Sequence, residues 1–554
     1  MSTQLIPEFS ARTRQGIILE LGRERFDILV VGGGITGAGI ARDAAMRGYK
    51  VALVDKGDYA SGTSSKSSKL VHGGVRYLEL YEFGLVFEAS RERRTLLQIA
   101  PHLVQALPFL FPVYKDARWK PWMIDVGMWL YDALATFRNV KRHRMYSSKE
   151  IKQLMPGIDT GNISGGAYYY DAQVDDARLT LETIRAAFSH GACVTNYVQV
   201  DELLKENGKV VGVRAHDAGS GQALDIHARV VVNATGPWTD TLLQLDDPGA
   251  PRRLRPTKGV HIFVPRAKIG GTNAVAFPAH SDGRLMFVIP WGDFSIIGTT
   301  DTDYEGDYDK VYADEADVDY CLAAANHAFP DSPIEKSDVI SSYAGLRPLV
   351  LQLGKSATKT SREHEIWTTE SGLTTIAGGK LTTYRSMAQE LVDIVAKRLR
   401  DEFDVQPQRQ CETAQTPLIE ANGLLLRDGQ LPPLTPDSGL AEDVVTHLIH
   451  SHGPEYSRIL EIAKRETALT ERVVDGLPYI WAEIPYAIEQ EMAVTPSDIL
   501  SRRMHILNEA RDHGIAAAPQ VAMRLGKFLG WDGGERDRAL AAFEEQAKLS
   551  SVGK

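Results

Sequence analysis

The sequence predicts an α/β chain in which a parallel, doubly wound portion is interrupted by an antiparallel sheet and followed by a helical C-terminal region. Three observations carry the prediction. In FDILVVGGGITGAGIARDAAMRGYKVALVD, Phe26 to Asp55, an apolar run leads into glycines at 32, 34 and 37, then a small-residue helix and a second apolar run. Between Pro256 and Ile366 lie strand-like runs, among them LMFVIPWGDFSIIGTTD, where Gly292 and Asp293 separate two strands as hairpin residues do. From about Pro407 the chain passes a proline-rich segment, with Pro417, Pro432, Pro433 and Pro436, into sequence of helical period.

The first stretch reads as strand, tight turn, helix, strand. Gly32 makes the turn, Gly34 lets backbone N–H groups approach a pyrophosphate, and Gly37 lets the helix pack closely on the strand. The phosphates then sit at a positive helix end. The second strand, Lys50 to Val54, ends at Asp55, 18 residues past Gly37, where a carboxylate accepts bonds from ribose hydroxyls. This is a Rossmann-like dinucleotide site, and by itself it leaves NAD and FAD open.

The next segments narrow that choice. Ser61 to Glu79, SGTSSKSSKLVHGGVRYLE, is a polar loop too long to be a connector, and long ordered loops beside a nucleotide site are often functional. Near Lys209 the period changes to KVVGVRAH, a turn DAGSGQ, ALDIHA and RVVVNATGPW, a β-meander ending in Ala234-Thr235-Gly236. A meander followed by an apolar strand and A-T-G is the second half of a two-part FAD fingerprint, so FAD is favoured. Later, TTIAGGKLTTYRSMAQELVDIVAKRL predicts a strand, a glycine turn at Gly378 and Gly379, and a helix with Met387, Leu391, Ile394 and Leu399 on one face. That helix would aim its positive end, with Lys380, at whatever the sheet's carboxyl edge holds.

These signals divide the chain into an N-terminal extension (1–25), a discontinuous FAD-binding domain (about 26–100, 180–250 and 365–400), an interleaved substrate domain (about 101–179 and 251–364), and a helical C-terminal domain (408–554). In the last, TPSDIL offers Thr495 as N-cap, Pro496 in the first turn and Asp498 behind it. The 554 residues suffice for two or three domains with sizeable cores. Cys193, Cys321 and Cys411 are widely spaced and odd in number, which excludes a disulfide framework and a C-x-x-C pattern. A formal charge of −10 argues against a general nucleic-acid binder. Residues 1–25 lack the apolar run of a secretory signal, so a cytoplasmic origin is expected. No stretch of about 20 apolar residues is present. The greasiest segment, Leu103 to Val113, contains Pro108 and Pro112 and reads as a buried strand or loop.

Taken together, VVGGGITGAGIARDAAMRG, SGTSSKSSKLVHGGVRYLE, YYDAQVDDARL, VVNATGPW, KGVHIFVP, IIGTTDTDYEGD, YAGLRPL and GGKLTTYR resemble the FAD-dependent (aerobic) glycerol-3-phosphate dehydrogenases, a branch of the D-amino-acid-oxidase-like flavoproteins. The match runs over about residues 26–385, and EMAVTPSDILSRR resembles that family's helical domain. One departure is Asp55, where the resemblance leads to an expectation of glutamate.

The resemblance implies transfer of hydride from C2 of sn-glycerol 3-phosphate to flavin N5, giving dihydroxyacetone phosphate. For the phosphate it points to Arg76, Arg347 and Arg362, with Tyr77 as a further donor, since the guanidinium fork makes bidentate, charge-assisted bonds. His261, in the strand KGVHIFVP, is the first candidate for the proton acceptor and His72 the second. Alternatively Arg347 holds the developing alkoxide and a water takes the proton. Lys380, at its helix end, would stabilise negative charge on the reduced flavin. Cofactor contacts are expected from Gly32, Gly34, Gly37 and Asp55, from Thr63, Ser67, Ser68, Leu70 and His72 of the loop, and from Ala234, Gly236, Gly379, Lys380, Leu381 and Thr382. No metal is expected.

Between Lys115 and Arg144 there are seven Lys or Arg against three Asp, with Trp119, Trp122 and Trp129, in a chain that is acidic overall. KPWMIDVGMWLYDALATF would place Asp125 and Asp132 on one helix side and leave much of the rest apolar, either as a membrane-surface helix or as a core helix with a polar edge. Because the resembled family delivers electrons to membrane quinone, peripheral attachment of residues 115–144 to an anionic membrane, on the inner face of the cell membrane, is the expectation, together with a homodimer. An oxidase of the same fold that passes electrons to oxygen, and a flavoenzyme for an amine or hydroxycarboxylate, are the rivals.

Overall fold

The computed structural model describes residues 8–74, 82–116, 119–134, 140–352, 363–419 and 439–552. Two sheets organise it. In the first, of eight strands, Arg25–Val31 lies between Val51–Val54 and Ala223–Asn233 and is parallel to both. Ile28, Leu29 and Val30 have no solvent exposure, as expected of a parallel strand covered on both faces. The register sets Val31 beside Val54 and Asn233, so the residues that follow, Gly32, Asp55 and Ala234, leave one sheet edge side by side. Ala223–Asn233 also pairs in parallel with Thr374–Gly378, which brings the late glycine turn to the same edge.

The meander differs from the sequence reading: Val198–Glu206 is an added strand paired with Lys209–Asp217, and ALDIHA and RVVVN are one continuous strand, Ala223–Asn233. The helices Ile35–Met46 and Tyr384–Phe403 pack together on the sheet, with Gly39 at their contact. A Cβ there would stand 2.9 Å from the Tyr384 ring. On the later helix Met387, Leu391 and Leu399 are buried, but Ile394 is 43% exposed. Three residues past Leu391 a helix has turned about 300°. Ala388, Val392 and Val395 take the buried positions instead.

The second sheet has ten strands, all paired antiparallel except Ala274–Pro278 with Val104–Tyr114. The hairpin of Leu285–Trp291 and Phe294–Gly298 forms around Gly292, whose φ is +53°, and Val104–Tyr114 is a strand despite its two prolines. The long pair Leu254–Pro265 with Ser341–Val350 is the part that reaches the nucleotide edge, setting His261 opposite Tyr343 and Thr257 opposite Arg347.

Two regions hold these sheets to the rest. The helix Arg14–Arg23 buries Ile17, Ile18 and Leu21, and Arg14 binds the Asn196 carbonyl and Asp217. The sequence offered no reading of that segment. In the C-terminal region Thr495 is the N-cap, as expected, and forms a capping box with Asp498, but the helix they start is brief and passes into a π turn, Ile499–Arg503. That turn carries Arg502 and Arg503 onto the buried Asp58 carboxylate.

Candidate active site

The residues that leave the shared sheet edge line one cavity of about 740 Å³. Its floor is the glycine turn. Gly32 has a φ of +114°, and a Cβ on it would stand 2.5 Å from the Ala234 carbonyl oxygen. A Cβ on Gly37 would stand 1.9 Å from the Gly32 carbonyl, and one on Gly34 would stand 3.1 Å from the Ser64 hydroxyl. Close backbone approach is therefore required here, as a pyrophosphate cradle needs. Ser64 accepts a hydrogen bond from the Ile35 N–H at 2.9 Å and so caps the first turn of the helix Ile35–Met46.

Asp55 is held by the same turn. Its carboxylate accepts from the Gly33 N–H at 2.5 Å and the Gly57 N–H at 2.8 Å. Burial pushes its carboxyl up to about 6, against the pull of those two N–H groups. The shorter acid thus reaches the cavity with both oxygens oriented by backbone.

The loop after it runs along the cavity wall. Thr63 donates to the Leu346 carbonyl at 2.6 Å, which ties the loop to the second sheet. Ser67, Ser68, Leu70 and His72 line the cavity, and the His72 N–H donates to the Thr382 hydroxyl at 3.3 Å. Gly379, Lys380, Leu381 and Thr382 also line it. Gly378 and Gly379 have φ of +79° and +84°, and a short 3₁₀ turn, Leu381–Thr383, leads into the helix Tyr384–Phe403.

His261 and Arg347 enter from the second sheet. His261 Nε2 lies 2.8 Å from the Ser68 hydroxyl, and its ring stacks on Tyr343 at 4.9 Å. Burial first, then the positive charges of Arg347 and Lys69, push the imidazole down to about 3, so it is neutral. Arg347 donates to the Thr300 carbonyl at 3.2 Å, Asp301 at 3.1 Å and the Thr299 hydroxyl at 3.0 Å. A neutral imidazole and a partly compensated guanidinium thus share one wall with the flavin-type glycine turn.

Comparison with known proteins agrees with this geometry. Residues 27–385 match the family model described as FAD dependent oxidoreductase, and residues 411–536 match the C-terminal domain of alpha-glycerophosphate oxidase. Glycerol-3-phosphate dehydrogenase 2 of Mycobacterium tuberculosis is 41% identical over 528 residues, covering 94% of this chain and 88% of the relative. The chain belongs to the FAD-dependent glycerol-3-phosphate dehydrogenase family. The aerobic glycerol-3-phosphate dehydrogenase of Bacillus subtilis is 38% identical over 504 residues, with 90% of each chain covered. The crystal structure of the Bacillus halodurans glycerol-3-phosphate dehydrogenase complexed with FAD superposes with a TM-score of 0.79 at 34% identity, covering 98% of each chain. Glycine oxidase of Bacillus cereus, at 20% identity and a TM-score of 0.51, shares the fold over 72% of this chain.

Within this family member most of the expected site residues meet in one cavity, from Gly32 and Asp55 through the loop to His261, Arg347 and Lys380. Gly37 serves from beneath, by packing, and does not line the cavity. Arg76, Tyr77 and Arg362 lie outside the described residues. Sequence reasoning missed Ser64 and Lys66, which line the cavity from the same loop. Burial pulls the Lys66 ammonium down to about 8. Their place in the serine-rich loop was the available signal. Tyr308 and Asp309, which line the cavity from the second sheet's connection, had none.

Proposed function

We propose that this enzyme oxidises sn-glycerol 3-phosphate at C2 to dihydroxyacetone phosphate and passes the electrons to a membrane quinone. The observation that carries the reading is the convergence of His261 and Arg347 on the wall of the nucleotide cavity, within a chain of this family. Bound FAD supplies the hydride acceptor. The protein's residues supply the rest.

Gly32, Gly34 and the helix Ile35–Met46 hold the cofactor's pyrophosphate, and Asp55 its ribose. Arg347 anchors the anionic substrate, joined by Arg76, Arg362 and Tyr77. His261 takes the C2 hydroxyl proton. Ser68 fixes one ring nitrogen, and Nδ1 has no partner among the described residues. A dianionic substrate beside the imidazole offsets the positive charges that hold its proton affinity down, which brings the base nearer its working range. His72 is the second candidate for this role. Lys380, which lines the cavity at the start of the helical segment, would stabilise negative charge on the reduced cofactor.

The quinone reading rests on the helix Pro121–Leu134. Asp125 and Asp132 both bind His143 on one side, at 3.1 and 2.7 Å, while Trp122, Val126, Trp129 and Leu130 face outward. Trp122 is 68% exposed and Val126 61%. Apolar residues at this spacing beside Lys120, Lys141 and Arg142 suit an anionic bilayer surface. Among the described residues no helix is long and apolar enough to cross a membrane. Attachment on the inner face of the cell membrane and a homodimeric state belong to this proposal.

The test is anaerobic. Glycerol 3-phosphate is added to FAD-loaded protein, the flavin absorbance is followed, and a soluble quinone or oxygen is then admitted. Bleaching followed by fast quinone reoxidation and slow oxygen reoxidation is expected. Fast recovery with oxygen and release of peroxide would make the protein an oxidase, and no bleaching would remove the substrate assignment.

A further inference from the structure

The block GAYYYDAQVDDARL places three acids beside the cofactor loop, and none of them lines the cavity. Asp171 accepts from the Gly73 N–H at 3.1 Å and from Arg93 and Tyr131. Asp175 caps the helix Asp176–Ser189 and binds His505 of the C-terminal region at 2.6 Å. Asp176 faces the loop itself. One carboxylate oxygen accepts from the Ser67 N–H at 3.0 Å and the Ser67 hydroxyl at 2.7 Å, and the other from Lys69 Nζ at 2.6 Å.

Neither member of the Lys69–Asp176 pair sees solvent, the side chains being 1% and 0% exposed. A fully buried ion pair is a poor source of net stability, since apolar residues of the same volume often do as well. Its geometry suggests another use. The Lys69 N–H donates to the Ser67 hydroxyl at 3.0 Å, and Lys69 holds a φ of +54°, which a lysine adopts only where its surroundings enforce it. Tyr343, the residue on which His261 stacks, donates to the Ser67 carbonyl at 2.7 Å. The turn between these anchors is Ser68, the hydroxyl partner of His261.

We propose that Asp176 and Lys69 are positioning residues for the oxidation: from behind the cavity wall they lock the Ser67–Ser68 turn so that Ser68 holds the His261 imidazole. The proposal rests on His261 taking part in the reaction. Around His261, Arg347 comes from Ser341–Val350, as does the stacked Tyr343, and Ser68 and Lys69 come from the loop. Burial first, then the charges of Arg347 and Lys69, lower its proton affinity, and Asp176 is the counter-ion of Lys69.

The test uses the FAD-loaded full chain. Removing one charge of a buried pair leaves the other uncompensated, so the double variant K69M/D176N is the main probe. It is expected to keep FAD but to be reduced by glycerol 3-phosphate at least about tenfold more slowly, because a small misplacement of reacting groups is costly. The acid limb of its rate–pH profile should move, since the hydroxyl that partners the imidazole is displaced. The substrate Kd should stay within about twofold of wild type, which separates positioning from binding. Wild-type rate and pH limb in the double variant would overturn the proposal. If the double variant does not retain FAD, S67A decides: slowed reduction with the same displaced limb supports the lock, and wild-type behaviour overturns it. H261Q run in parallel separates the two ideas. Normal reduction in H261Q removes the underlying role of His261, whereas slow H261Q with a normal double variant rejects only the lock.

Discussion

Gly259 stands directly against Arg347: a Cβ at that position would lie 2.5 Å from Nη2 and 2.7 Å from the guanidinium carbon. The strand Leu254–Pro265 therefore leaves a gap in its row of side chains, and the arginine fills it on the way to Thr299 and Asp301. Gly259→Ala is expected to displace Arg347 while leaving the glycine turn intact. KM for glycerol 3-phosphate should rise at least about tenfold with FAD still bound, as loss of a charge-assisted pair predicts. Arg347→Lys should act in the same direction, because an ammonium cannot reproduce the fork. Steady-state kinetics on FAD-replete protein check both, and near-normal KM in both would remove Arg347 from the substrate site.

Asp55 predicts a pH dependence of cofactor binding. Its carboxyl is raised to about 6 by burial, and only the carboxylate accepts from a ribose hydroxyl at both oxygens. FAD affinity of the apoenzyme should thus be highest above about pH 6 and fall as pH drops through that value. Asp55→Asn should bind more weakly at pH 8 and lose the dependence. Fluorescence titration of FAD between pH 5 and pH 8 measures this, and parallel curves for the two proteins would contradict it.

A separate consequence concerns stability. Asp58 is fully buried between Arg502 and Arg503, and those two guanidinium groups outweigh its burial and hold its carboxyl below the ordinary carboxylate value. A lowered acid contributes stability that is fully present above its unfolded value, near 4, and is lost as pH falls through the lower folded one. Asp58→Asn removes the carboxylate that both guanidinium groups share, leaving Arg502 with Asp498 and Arg503 with the Glu491 carbonyl, and should cost about 3–5 kcal/mol at neutral pH. Urea unfolding at pH 7 gives the difference, and a loss under about 1 kcal/mol would show that the arginines find other partners.

The outward face of Pro121–Leu134 should carry membrane binding. Replacing Trp122 and Val126 by serine removes the two most exposed apolar side chains from that face and leaves Trp129, which packs on His143, in place. Sedimentation with vesicles containing anionic lipid should fall at least about fivefold, with reduction of FAD by glycerol 3-phosphate unaltered. Equal binding by the variant would place the contact elsewhere.

Much of the site was legible because its signals are local. The glycines at 32, 34 and 37 sit within one turn, and each answers to a steric demand of that turn or of its helix. The hairpin at Gly292 and the N-cap at Thr495 were readable for the same reason. Ile394 shows the limit of pattern reading: an apolar residue near the right spacing was assigned to the buried face, and the helix turns it outward. Ser64 and Lys66 lay in a segment already marked as functional, but nothing in a serine-rich run tells which hydroxyl caps a helix.

By itself, then, the sequence determined the nucleotide-binding order of strand, turn and helix, the antiparallel character of the middle region, and the family to which the blocks belong. Each depends on residues close together in the chain, where backbone sterics and side-chain period act directly. Only the tertiary structure decided that His261 meets Ser68 from 193 residues away, that Asp176 and Lys69 close a buried pair behind them, and that Arg502 and Arg503 reach Asp58. Those contacts follow from strand register and sheet packing, which sum weak preferences over the whole chain, and no short stretch of residues encodes them.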